Sequence, residues 1–216
     1  MQFEEWEPVY LRIIEDMGYN RSSDETSVRV MKTILSNSDI IDDDDMKMIV
    51  HGNVLIAGGA PFSIKDVPEY DTLIATGASI PFLFENDIIP DVIVTDLDGD
   101  VEAQKKMSSG GSVTVMHAHG DNADALIVHA KDFKGRIMMT TQSKPDIIVY
   151  NFGGFTDGDR AVCMADSLGA KKIMLIGFDL DNPEVKPGSD IIIKKKKLDW
   201  AKTIIGTMVS TDIAFL

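Results

Sequence analysis

One cysteine in 216 residues, Cys163, leaves the chain with no internal disulfide. Its neighbours Val162, Met164 and Ala165 mark a small buried helix residue rather than a reactive thiol. Positive charge is scarce: 21 Lys and Arg stand against 35 Asp and Glu, a net charge of −14. That balance disfavours non-specific nucleic-acid binding, which needs cations to neutralise phosphates. It leaves nucleotides open, because a bound metal brings its own positive charge. No apolar stretch reaches bilayer-spanning length, and the first residues lack the basic start and apolar run of a signal peptide. The expectation is a soluble cytoplasmic protein with neither a nucleic-acid nor a membrane partner. Hydrophobic residues, at 44%, suffice for a sizeable core, and the length allows one full α/β domain plus an appendage.

Apolar residues at Phe3, Trp6, Val9, Tyr10, Ile13, Ile14 and Met17 recur at helical spacing and predict an amphipathic helix over 3–17. Ser22 and Glu25 predict a capping box for a second helix through about Leu35. The run Asp42 to Asp45 reads as a solvated loop or a helix N-terminus. Residues 1–48 are therefore expected to form a helical appendage, and 49–216 an α/β catalytic domain. In the latter, strands are predicted at 54–57, 72–75, 92–95, 113–116, 137–140, 147–150 and 172–176. Helices are predicted after Ser79, from Ala123, from about Asp159 to Leu168, and from near Lys194. Gly169 suits the residue just past the third of these. Strand–loop–helix alternation implies an open, mostly parallel sheet with helices on both faces, a Rossmann-like α/β fold.

Each polar cluster follows a predicted strand, so the clusters should gather along one edge of the sheet. After Val92-Ile93-Val94 come Asp96, Asp98 and Asp100. Three carboxylates in five residues repel one another unless a cation or water intervenes. Hard oxygen ligands suit Mg²⁺, which commonly accompanies phosphates; an acidic solvated turn is the plainer alternative. If the chain stays extended, Asp96 and Asp98 point the same way. Asp100 is a candidate third ligand or a water partner. His117 to Asp124 contains two histidines without zinc-site spacing. There Asp121, Asn122 and Asp124 stand at a helix start, where each would serve as a cap or lie beside a bound phosphate.

Gly153-Gly154-Phe155-Thr156-Asp157-Gly158-Asp159-Arg160 is rich in glycine, which lets backbone approach a ligand. It lacks both the Lys-Ser/Thr ending of a Walker loop and the dinucleotide glycine spacing. Arg160 suits a phosphate, or pairs with Asp157 or Asp159. Lys194 to Lys197 form either a solvated helix start or a polyphosphate contact.

From Ala75-Thr76-Gly77-Ala78 through Pro90-Asp91-Val92-Ile93-Val94-Thr95-Asp96-Leu97-Asp98, the sequence resembles thiamin pyrophosphokinases. With Thr-Asp-Leu-Asp-Gly, His-Ala-His-Gly-Asp-Asn and Gly-Phe-Thr-Asp-Gly-Asp-Arg-Ala, it is more similar to the archaeal 6-hydroxymethyl-7,8-dihydropterin pyrophosphokinases of the domain-of-unknown-function 115 group. The resemblance covers about residues 50–200. It implies Mg²⁺-dependent transfer of the β,γ-diphosphate of ATP to the hydroxymethyl group of a reduced pterin, with release of AMP, in folate- or methanopterin-type biosynthesis. On that reading Asp96, Asp98 and Asp121 serve catalysis and the metal. Gly77, Asn122, Thr156, Asp157, Arg160, Lys194 and Lys197 face ATP. Phe155 either stacks on the pterin or packs in the core. A homodimer is compatible with it. One position departs: these families carry Asp where this chain has Thr76, and Asp71 lies too early in its strand to substitute.

Rival readings are a thiamin acceptor, a haloacid-dehalogenase-type phosphatase, an Asp-x-Asp glycosyl transferase and a non-catalytic nucleotide-binding module. The phosphatase is suggested by Val94-Thr95-Asp96-Leu97-Asp98-Gly99. That family, however, places its nucleophile loop after the first strand, and two candidate strands precede it here.

Overall fold

β-Branched and aliphatic runs separated by glycine- and aspartate-rich turns become eight strands in a computed structural model, which describes residues 1–65, 67–182 and 190–216. They are β1 (Asn53–Ala57), β2 (Thr72–Thr76), β3 (Val92–Thr95), β4 (Val113–Ala118), β5 (Ile137–Thr141), β6 (Val149–Tyr150), β7 (Lys172–Ile176) and β8 (Ile213–Phe215). All the pairings are parallel, in the order β6-β5-β4-β3-β2-β1-β7-β8. The central strands are buried along nearly their whole length, as expected of a parallel sheet covered on both faces. The sheet grows outward from β1 to β6; the chain then crosses back to lay β7 against the other side of β1. Strand order therefore reverses between β1 and β7, and a ligand crevice opens at such a point beyond the carboxyl ends of the strands.

Among the described residues eight α-helices flank the sheet: α1 (Phe3–Met17), α2 (Arg21–Ile34), α3 (Asp43–Ile49), α4 (Ile80–Glu85), α5 (Val101–Ser109), α6 (Ala123–His129), α7 (Asp157–Ser167) and α8 (Ile191–Met208). Alternate residues of each strand feed opposite faces. Val54 and Ile56 meet Met46 of α3 and Val162 of α7 on one side. Leu55 and Ala57 meet Leu83 of α4 and Met107 of α5 on the other. Each of these Val, Leu, Ile and Met side chains, fully buried, contributes roughly 1.5–3 kcal/mol.

The first three helices share this core. Met31 of α2 packs with Met116 of β4 and Met139 of β5. Trp6, Tyr10 and Ile13 of α1 pack with Cys163 of α7 and Ile204 of α8. Cys163 is fully buried, as its neighbours predicted.

The structure departs from two sequence expectations. The cap of α2 is Asn20, whose side chain accepts the Ser22 N–H at 2.9 Å, so the helix starts before the Ser22–Glu25 pair. The turn after β3 is not extended: Leu97 has φ 69, held by its own N–H donating to Thr95 Oγ1 at 2.9 Å. This left-handed kink buries the Leu97 side chain and still leaves the flanking carboxylates on one side. Helix α5 and strand β8 were not predicted. Asp42 caps α3 by accepting the Asp45 N–H at 2.9 Å, one of the two roles expected for that acidic run.

Candidate active site

A cavity of about 490 Å³ lies beyond the carboxyl ends of the strands and spans the reversal point. Its glycine end is built by close backbone approach. A Cβ on Gly58 would sit 2.4 Å from the Gly177 carbonyl oxygen, and Gly177 itself has φ 69. Neither position admits a side chain without moving main chain.

At the centre stand Asp96, Asp98 and Asp157, each offering a carboxylate oxygen within 4.8 Å of the others. The first two follow β3; the third opens α7, delivered by the glycine-rich loop after β6. Gly77 packs against two of these acids: a Cβ there would lie 3.4 Å from Asp157 Oδ2 and 3.5 Å from Asp98 Oδ1. Thr76, where the related families carry Asp, donates its hydroxyl to the Ala57 carbonyl at 3.1 Å. The third carboxylate of the cluster, Asp157, comes from the first turn of α7.

Electrostatics distinguish the three acids. Burial pushes Asp157 well above the usual carboxylate range, and the charges of Asp96 and Asp98 push it further, against the pull of Arg160. Asp96 is also penalised by burial, but the hydrogen bond and charge of His119, with Arg160 and Lys197 behind them, hold it at about 2. His119 bridges two acids, with Nε2 3.1 Å from Asp96 Oδ2 and Nδ1 2.7 Å from Asp121 Oδ1. Burial lowers its pKa, yet the bonds to Asp121 and Asp96 outweigh burial and raise it to about 9. Both bonds favour the imidazolium form of His119.

These observations test the site for a cation. Asp96 Oδ1 is buried and has no hydrogen-bond partner among the described residues. A buried orphan oxygen costs about 1–3 kcal/mol or more. Three convergent hard oxygens, one of them orphaned and one unable to ionise easily, fit a divalent ion of the magnesium kind.

Asp121 is not in the triad; it flanks His119 with a mostly exposed carboxylate. Asn122 donates Nδ2 to the carbonyls of Asp96 and His117 at 3.0 and 2.7 Å, and its Oδ1 accepts from the His119 N–H at 3.0 Å. Both its amide protons are committed to main chain, so it braces the loops and has no donor left for a phosphate. Thr156 forms a capping box with Asp159 at the start of α7. Arg160 donates to Asp157 Oδ1 at 3.1 Å and to the Phe155 carbonyl at 3.2 Å. Its buried Nε has no partner among the described residues.

Asp100 stands outside the cluster of three acids and caps α5, accepting the Ala103 N–H at 3.0 Å. The lysine run is divided by helical period. Lys194 and Lys197, three apart, line the cavity, whereas Lys196 reaches Asp16 at 2.9 Å.

Sequence reasoning missed several residues. The bridging role of His119 was not foreseen, because its partners lie before and after it in the chain. The glycine crevice had a signal in Gly58-Gly59 and Gly177, each directly after a strand. Tyr19 and Gln142 line the cavity with no such signal.

Fold and site together define a Rossmann-like α/β protein whose acidic cavity straddles the reversal of strand order. Residues 54–185 match the family described as 6-hydroxymethylpterin diphosphokinase MptE-like. Curated proteins named 6-hydroxymethyl-7,8-dihydropterin pyrophosphokinase are similar over most of the chain. The one from Methanocaldococcus jannaschii is 38% identical, with 100% of both chains covered. That from Pyrococcus furiosus is 40% identical over 83% of this chain and 78% of its own. That from Methanothermobacter thermautotrophicus is 34% identical over 95% of this chain and 94% of its own. The chain belongs to this family of diphosphotransferase enzymes. Among the described residues no helix is long and apolar enough to cross a membrane.

Proposed function

We propose that the protein transfers the terminal diphosphate of ATP to the hydroxymethyl oxygen of 6-hydroxymethyl-7,8-dihydropterin, with Mg²⁺ held by Asp96, Asp98 and Asp157. The observation that carries this reading is the convergence of those three carboxylates, with the orphaned Asp96 oxygen, beside Arg160 and Lys197. The names of the three relatives support the acceptor. Bound there, the cation would neutralise charge on the phosphate oxygens.

In the reaction the acceptor oxygen bonds to the β-phosphorus, and the bond from that phosphorus to the bridging oxygen breaks. AMP leaves with the electron pair, and the hydroxyl proton passes to solvent. Phosphoryl chemistry of this kind needs positioning and charge neutralisation more than covalent help. Asn122 and His119 hold Asp96 in place from its backbone and its side chain. Lys194 and Lys197 bring positive charge to the cavity wall. Asp121, its pKa lowered by the hydrogen bond from His119, is suited to orient the acceptor hydroxyl rather than to act as its base.

Incubation with ATP, Mg²⁺ and either the reduced pterin or thiamin, with AMP resolved from ADP, tests this. AMP formed only with the pterin is expected. ADP would mean an ordinary kinase, and phosphate released without any acceptor would mean a hydrolase.

A further inference from the structure

The two ends of the cavity suit different molecules. At the β1/β7 end the walls are glycine backbone, in the crevice where open α/β sheets take nucleotides. At the other end the walls are side chains. The rings of Tyr19 and Phe155 stand 6.3 Å apart at 48°, and Gln142 lies in the same wall. Phe155 is 8% exposed and belongs to the apolar cluster that buries α1; Tyr19 is 40% exposed and stands outside that cluster. Core packing therefore accounts for Phe155 but not for Tyr19.

Backbone geometry fixes where Tyr19 stands. Gly18 ends α1 in the left-handed conformation, φ 68, and the Tyr19 N–H donates to the Ile14 carbonyl at 2.8 Å. Gln142 is fixed as well. Its carbonyl accepts from Trp6 Nε1 at 2.8 Å, and its Nε2 donates to Asp24 Oδ2 at 3.0 Å. The Tyr10 hydroxyl donates to that same Asp24 oxygen at 2.6 Å. With its amide nitrogen engaged, Gln142 keeps Oε1 as an acceptor to which nothing among the described residues donates. Between the two ends stands Lys197, its Nζ 5.8 Å above the Phe155 ring, close enough to Asp96 and Asp121 to lower the pKa of both.

We infer that Tyr19, Phe155 and Gln142 form the acceptor half-site, which takes a flat heterobicycle bearing N–H donors, with ATP at the glycine end. The inference rests on the diphosphotransferase reading above. Tyr19 stacks on or edges the ring, and Gln142 Oε1 accepts from its pyrimidine N–H groups. Both residues are positioned by α1 and α2, which lie before the region matched to the family. The N-terminal helices are then a wall that selects the acceptor, while the acids of β3 and α7 serve the phosphates.

Two-substrate steady-state kinetics on Tyr19→Ala and Tyr19→Phe test this, together with quenching of reduced-pterin fluorescence on binding to each protein. Tyr19→Ala is expected to raise the KM for the pterin about fivefold, the scale of one aromatic contact. The KM for ATP should stay put, and Tyr19→Phe should restore the pterin value. A rise in the ATP KM, alone or in step with that of the pterin, would overturn the assignment, as would no change in either. Wild-type protein that neither quenches the pterin nor releases AMP with it would remove the function reading too. Wild-type turnover beside an unmoved Tyr19→Ala pterin KM removes only the half-site.

Discussion

Asp157 is the residue whose state depends most on what shares the cavity. Its carboxyl is buried against two other acids, and the charges of Arg160 and His119 oppose the upward pressure on its pKa. Replacing it with Asn removes an acid whose anion burial and the neighbouring carboxylates disfavour, and keeps an oxygen for Arg160. Asp157→Asn should therefore melt at the same temperature as wild type or higher in EDTA, while AMP release falls on the order of 100-fold. Near-wild-type turnover at limiting Mg²⁺ would show that Asp157 holds no metal. Asp96 and Asp98 were legible in the sequence because strand, turn and carboxylates are contiguous there. Asp157 was read as a nucleotide contact, since nothing local says that a loop some sixty residues later folds onto the same turn. Asn122 shows the opposite limit. A polar residue at a helix start invites a cap or a phosphate, and only the fold reveals two carbonyls within its reach.

Elements were easier to read than their edges. Consecutive β-branched residues closed by glycine or aspartate marked seven strands, and burial on both faces explains why they lack polar alternation. Strand β8 escaped because it is three residues at the sheet's margin, with no apolar run to announce it. Asp166 at the end of α7 is what ties down the segment leading into β8. Its Oδ1 accepts from the backbone N–H and the hydroxyl of both Ser210 and Thr211. Burial raises its pKa, but those bonds outweigh burial and hold it below the ordinary value. A carboxyl whose folded pKa lies below its unfolded one lends stability above roughly pH 4, and that stability is lost as pH falls through the folded value. Amide exchange protection at Ile213–Phe215 should therefore drop on acidification below about pH 4, before the central strands respond. Asp166→Ala should produce the same local loss at pH 7. Protection of β8 that survives the substitution would remove Asp166 as the tie.

For the molecule as a whole, composition and alternation pointed to a parallel α/β sheet, and no residue pattern revealed its strand order. From β1 to β6 each strand pairs with its predecessor in the chain, but Asn53 of β1 also pairs with Lys172 of β7, after the whole sheet has been traversed. That order has a consequence in time. A chain leaving the ribosome can assemble β1 to β6 before β7 has been made, and long-range closure is the slow step. The glycine crevice between β1 and β7 then exists only once β7 has docked on β1. A nucleotide that needs both walls cannot assist early assembly, but it can act as a latch on the finished product. Saturating Mg²⁺–ATP, at a hundred times its Kd, should add about 2.7 kcal/mol to the opening free energy of β7 and β8. It should change exchange at β5, the far side of the sheet, much less; equal slowing of β5 and β7 would mean that the sheet opens as one unit. On this account substrate supply governs how long the last-made quarter of the chain stays closed, and with it exposure to proteases.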